Sequence, residues 1–189
     1  MTEEELQTLN KEQKEQDYLG KTALQVYAEV LRLNPTIQRV QFRQYRYTYP
    51  QAPDGRGIHE DTSFWIERED FLKGSKIFQD SLANLSDGFN LALESELELE
   101  NGERAYLPMM DTSIPKSTEN LERLKKITAI SLTPSFGRMV ILETDASYHI
   151  MGFAPMSLPE QVRFLGVCQN NKIKSDDGRV RRVADIGFT

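Results

Sequence analysis

Cysteine is almost missing from this sequence: Cys168 is the only one in 189 residues. A lone cysteine cannot close an intrachain disulfide, so a reducing cytosol is the natural compartment and a cytoplasmic location is expected. Cys168 itself reads as a small core residue. Histidine is nearly as scarce, with His59 and His149 alone; His59 has no cysteine or second histidine at metal-ligand spacing. Long apolar runs are lacking too. None approaches the ~20 residues needed to span a bilayer, so no membrane partner is expected. The N-terminus, Met1-Thr-Glu-Glu-Glu, lacks the basic-then-apolar layout of a signal peptide. Positive charge is in deficit. A net charge of −6 suits a dedicated nucleic-acid binder poorly unless basic residues cluster locally.

What is present is an ordinary globular composition, 39% apolar and 28% charged, at a length that fits one domain. Residues 1–35 read as an N-terminal helical arm and residues 36–189 as a single α+β domain. Up to residue 20 the chain is almost wholly polar, including Lys11-Glu-Gln-Lys-Glu-Gln-Asp17. That stretch suits a solvated helix or a frayed arm, and the N-terminal helix is where a protein partner would dock. Leu24, Tyr27, Val30 and Leu31 then recur at helical spacing, and Asn34-Pro35 ends the helix.

From Ile37 to Tyr49 the pattern alternates, with Val40 and Phe42 on one face and Arg39, Arg43, Tyr45 and Tyr47 on the other. The second face could stack on bases or bind phosphate; it equally suits a half-buried strand with amphipathic cover. Pro50 to Glu60 reads as a loop closed by His59, and Thr62 to Glu67 as a strand pairing back on the first. Phe71 to Leu85 reads as a loosely periodic helix. Phe89, Leu91, Leu93, Leu97 and Leu99 next alternate with polar residues, and Asn101-Gly102 predicts a two-residue type I′ loop. Such a loop sets Glu100 against Glu103, Leu97 against Tyr106 and Glu94 against Met109. Asp111 then ends a strand on the face away from the leucine core, and Pro108 marks an edge or a bulge.

Ser117 or Thr118 caps a helix carrying Leu121, Leu124 and Ile127, and Pro134 to Gly137 reads as a connecting loop. Met139 to Leu142 and Tyr148 to Met151 form a hairpin turning at Thr144-Asp-Ala-Ser147. Ser147 and His149, two apart, point to the same face of a strand. Ser157-Leu-Pro-Glu160 is a capping box, with Leu158, Val162, Leu165 and Cys168 or Gln169 as one helical face. Asn170 to Gly178 reads as a polar loop and Val180 to Phe188 as a final strand holding Asp185. An ending in mid-strand points to a truncated or unusually short domain. The element order predicts an α+β fold, a mainly antiparallel sheet of hairpins flanked by helices.

Three short motifs fall at strand ends: Tyr106-Leu-Pro-Met-Met-Asp-Thr-Ser113, Ser147-Tyr-His149 and Val183-Ala-Asp185-Ile-Gly-Phe. In order and context they resemble the motifs of the archaeo-eukaryotic primase (primase-polymerase) superfamily. Those motifs are an apolar strand ending in acid-x-acid, then small-x-His, then an apolar residue before an acid. The bacterial and phage primase-like subgroup is the more similar part of it. Tyr148-His-Ile-Met-Gly-Phe, running into Ser157-Leu-Pro-Glu-Gln-Val-Arg-Phe, looks like that subgroup around its histidine. The resemblance spans residues 105–189.

It implies a primase-like catalytic core in which Asp111 and Asp185 are catalytic and hold Mg²⁺ or Mn²⁺, cations that prefer hard oxygen ligands. Ser147 and His149 would bind the triphosphate of an incoming nucleotide. Two ions about 4 Å apart would clamp the attacking and leaving oxygens of a nucleotidyl transfer, with DNA or RNA as the further substrate and DNA replication as the setting. Arg138, Lys172, Lys174, Arg179, Arg181 and Arg182 either support that charge or are solvated loop residues. Ser113 stands where the family places its second acid, and Asp145 in the adjacent turn is a substitute. The alternative roles are structural: Asp111 as a cap, His149 as a buried histidine, Asp185 paired with Arg181 or Arg182. Two functions therefore stand side by side. One is a nucleotide- and metal-binding domain, active or degenerate; the other is an inactive interaction module in a nucleic-acid-related or defence complex.

Overall fold

The computed structural model describes residues 18, 20–47, 58–74 and 89–184. The polar arm before Tyr18, most of the helix expected over 71–85, and Asp185 lie outside the described residues. Thr22 opens helix α1 (Ala23–Leu33): its hydroxyl accepts from the Gln25 N–H, and the Gln25 side chain accepts from the Thr22 N–H. Asn34 closes the helix by donating from Nδ2 to the carbonyls of Val30 and Phe153. Between the caps, Val26, Tyr27, Val30 and Leu31 form the buried face. The fold is α+β, as the alternating patterns predict, and no helix among the described residues is long and apolar enough to cross a membrane.

Strands β1 (Ile37–Tyr47), β2 (Ile58–Glu67), β3 (Phe89–Leu99) and β4 (Arg104–Tyr106) make an antiparallel sheet in the order β2-β1-β3-β4. A five-residue helix, α2 (Arg68–Leu72), follows β2 and buries Phe71. The core of this half joins the α1 face to Val40, Phe42, Ile66 and Leu97. Full burial of a side chain such as Phe42 or Leu97 stabilises the fold by ~1.5–3 kcal/mol. β2 starts earlier than its alternation suggests, so His59 pairs with Arg46 inside a strand and does not close a loop.

The β3–β4 hairpin differs from the expected register by one residue. Leu97 faces Ala105 and Glu96 faces Tyr106, because the loop holds three residues, Glu100 to Gly102. The Gly102 N–H donates to the Leu99 carbonyl, and Gly102 takes φ +80°, a turn followed by a left-handed glycine. Beyond Leu107, whose N–H still donates to the Ser95 carbonyl of β3, the chain leaves this sheet. β5 (Met109–Asp111) joins β7 (Tyr148–Gly152) and β6 (Met139–Glu143) in a second sheet, ordered β5-β7-β6. Met109 therefore faces Met151, not Glu94. Pro108 sits at the crossover, where a missing N–H suits a chain that changes partners.

The second sheet divides two cores. Met109, Val140, Leu142 and Met151 pack toward the first. Met110, Tyr148 and Ile150 pack toward the second, with Leu124 of α3 (Thr118–Ile127) and Phe164 and Cys168 of α5 (Leu158–Asn170). Ser117 caps α3, accepting from the Asn120 N–H. Residues 128–136, expected to end in a loop, stay helical through a π-turn (Thr128–Leu132) and a short α4 (Thr133–Phe136). Pro134 is tolerated there because the first turn needs no N–H. Along α5 the buried face is Gln161, Phe164 and Cys168, while Leu158 and Val162 are exposed. The apolar residues counted from sequence thus straddle two faces. A short ribbon pairs β8 (Lys172–Lys174), a strand within the expected polar loop whose Ile173 reaches the second core, with β9 (Val180–Arg182), the start of the expected final strand, of which residues 185–188 lie outside the described residues.

Candidate functional site

Antiparallel pairing of β5 and β7 sets Asp111 directly against His149. Opposed residues of such a pair have Cβ atoms ~4.5–5.5 Å apart, close enough for an imidazole to meet a carboxylate. His149 Nδ1 lies 3.1 Å from Asp111 Oδ1, with the side chains 45% and 51% exposed. His149 is therefore no buried core histidine, and the cap of the following helix is Ser117, not Asp111. Alternation places the pair on the face that carries Met109 and Met151, turned toward the leucine-containing core. The two-residue loop would have put Asp111 on the opposite side. The three-residue loop and the crossover at Pro108 are what change it.

Ser147 closes the β6–β7 turn, one residue before β7 begins. Its Oγ lies 3.3 Å from Thr144 Oγ1, and its N–H donates to that same oxygen at 3.1 Å. Tyr148 points to the other face, where it is fully buried and its hydroxyl donates to the Ser117 carbonyl and accepts from the Ser117 N–H. This anchor was legible as the residue between Ser147 and His149, which a strand must turn inward. The Thr112 N–H donates to the Tyr148 carbonyl and the Lys116 N–H to that of Ala146. The segment after Asp111 is thus laced to the strand that carries His149. Lys116 also pairs with Glu143 at 3.0 Å.

Two of the expected supporting cations, Arg138 and Arg181, are engaged by other partners. Arg138 stacks on Tyr18 and Phe153, at 4.9 and 4.6 Å from the ring centroids. That position lies before the far end of β6, ~13 Å along the strand from Leu142, the partner of His149. Arg181 pairs with Asp177 at 2.7 Å. On the first sheet, Arg39 is bonded to Glu98 and Arg43 to Glu94, while Arg104 lies 4.3 Å over Trp65. The arginines of that face meet glutamates of the neighbouring strand, which fits amphipathic cover.

Among the described residues, no group of three or more His, Cys, Asp or Glu is placed to hold a metal ion. Ser113, two residues past Asp111, is exposed, and Asp145 is exposed in the turn. One half-exposed carboxylate beside an imidazole fits a cation held jointly by that carboxylate and by nucleotide phosphates, a usual arrangement for Mg²⁺. It does not by itself make a site for two ions.

A family model described as AEP-like, archaeo-eukaryotic primase 1D-like, matches residues 72–172. The chain belongs to that primase-like family. The matched span starts before the motifs that carry the resemblance and includes β3 to β7, Asp111, Ser147 and His149. It stops short of Asp185. No curated protein and no solved structure gives a match.

Proposed function

We propose that this primase-like chain binds a nucleoside triphosphate with a divalent cation at the Asp111–His149 pair, and that nucleotidyl transfer onto nucleic acid is the activity served. The observation that supports the reading is the 3.1 Å approach of His149 Nδ1 to Asp111 Oδ1 across paired strands. An Nδ1–H turned onto Asp111 would orient the ring, an Nε2–H on the doubly protonated ring would donate to a phosphate oxygen, and Asp111 Oδ2 remains for a cation. Ser147, held by Thr144, offers a hydroxyl beside it. Mg²⁺ or Mn²⁺ would offset phosphate charge there, and Asp185 is the proposed second carboxylate. A cytoplasmic setting accords with this chemistry.

The second reading, an interaction module without catalysis, is favoured by Ser113 in place of an acid and by the lack, among the described residues, of any group of three or more His, Cys, Asp or Glu placed to hold a metal ion. Incorporation of a labelled nucleotide into an oligonucleotide in the presence of Mn²⁺ separates the two. The catalytic reading expects incorporation that Asp111→Asn and His149→Ala abolish. Wild-type protein that incorporates nothing while still binding nucleotide would leave a degenerate nucleotide-binding domain.

A further inference from the structure

The β8–β9 ribbon has two chemically different faces. Register sets Lys172 against Arg182, Ile173 against Arg181 and Lys174 against Val180. Ile173 is buried, and Arg181 on the same face is paired with Asp177. The other face carries Lys172, Lys174, Val180 and Arg182, all exposed. The turn between the strands is rigidly held: Asn120, itself fully buried, donates to Pro115, Ser175 and Asp176 and accepts from the Asp176 N–H.

The ribbon's own acids are occupied elsewhere. Asp177 takes Arg181 and Arg179, and Asp176 is engaged by Asn120. Among the described residues, Lys172, Lys174 and Arg182 carry no ion pair, in contrast to Arg39, Arg43 and Arg104 on the first sheet. Three neighbouring uncompensated cations on a chain of net charge −6 form a local basic surface. Lys172 and Lys174 are ~7 Å apart along the strand, with Arg182 across from the first. All but Lys172 lie beyond the span shared with the family.

We propose that this ribbon face docks the phosphate backbone of a single-stranded nucleic acid, with Val180 as its apolar contact. The proposal rests on the reading of the chain as a nucleotidyl-transfer domain, for which such a strand would be template or acceptor. A face this small, with no aromatic side chain, tracks a backbone through charge and does not stack or read bases. Binding is then sequence-tolerant and strongly salt-dependent.

The test is fluorescence anisotropy of a labelled single-stranded oligonucleotide on the full chain, from 50 to 200 mM salt, without nucleotide or metal. Replacing Lys172, Lys174 and Arg182 together by Ala should weaken binding about tenfold or more and reduce the log–log salt slope by roughly 2, since each phosphate contact contributes about 0.7 on single strands. Replacing Lys73, Lys125 and Lys126 by Ala, exposed cations elsewhere, should leave both unchanged. Equal affinity and slope in the ribbon variant would overturn the proposal, as would a wild type that does not bind. A polyglutamate peptide displacing the oligonucleotide at equal charge would overturn it in favour of an acidic protein partner. Strand binding that depends on the ribbon in a protein that binds no nucleotide would sink the catalytic reading and leave the ribbon standing.

Discussion

Pro108 leaves room for only a glycine at position 152: a Cβ there would stand 2.4 Å from the Pro108 Cγ. The Gly152 N–H also donates to the Pro108 carbonyl at 2.7 Å. This contact lies where the chain crosses from the first sheet to the second, and it sets the register that brings Asp111 to His149 three residues along β7. Gly152→Ala should cost about 1–3 kcal/mol, the usual range for overpacking, read as a shift of the denaturant midpoint. Pairing it with Pro108→Ala should recover part of the loss. Additive losses in the double variant would mean that the ring is not the obstacle.

Tyr27 offers a test of the first core. Its ring is fully buried against Phe42 and Phe71, and its hydroxyl has no hydrogen-bond partner among the described residues. Burial accordingly pushes the phenol's pKa up. An unsatisfied buried hydroxyl is a cost, so Tyr27→Phe should leave stability unchanged or raise it by on the order of 1 kcal/mol. A loss of that size in thermal unfolding would show that the hydroxyl is satisfied.

Cys168 sits fully buried on α5, and desolvation pushes its thiol up to about 12. The thiolate is the reactive form, so the native protein should resist iodoacetamide at pH 8 and react once denatured. Rapid alkylation of the folded chain would contradict the packing of α5 on the second core.

Acid should weaken the fold through carboxylates that native contacts hold in the charged form. Glu29 accepts from the Tyr18 hydroxyl at 2.6 Å and pairs with Lys21, which together lower its pKa. Asp176 is lowered by Ser117 first, then by Asn120 and Ser175. A folded value below the unfolded one gives stability that is present above the unfolded pKa and lost as pH falls through the folded one. The melting temperature should therefore fall below pH ~4, the ordinary carboxylate range, and fall less steeply in Glu29→Gln. An identical slope in that variant would remove Glu29 from the account.

Helices α1, α3 and α5 and most strands were legible because each has a local cause. The α1 spacing, the Ser117 cap and the Ser157–Glu160 box are contained within a few residues, and so are the faces of β1. Register was not. Asn101-Gly102 suits both a two-residue and a three-residue loop, and a slip of one residue reverses every face that follows. The exchange of sheets at Pro108 depends on a strand more than forty residues away, which no local pattern encodes. On α5, Leu158 and Val162 looked like core positions, yet Gln161 is buried and they are not. The approach of Asp111 to His149 was readable as two motifs at strand ends, while its geometry came from the pairing of β5 with β7.

Calorimetric titration of the full chain with a nucleoside triphosphate and Mn²⁺ bears most directly on the central claim. The Asp111–His149 account predicts saturable binding in the wild type that weakens about tenfold or more in Asp111→Ala and in His149→Ala, since each loses a charge-assisted contact to phosphate or cation. Equal binding by all three proteins would contradict it.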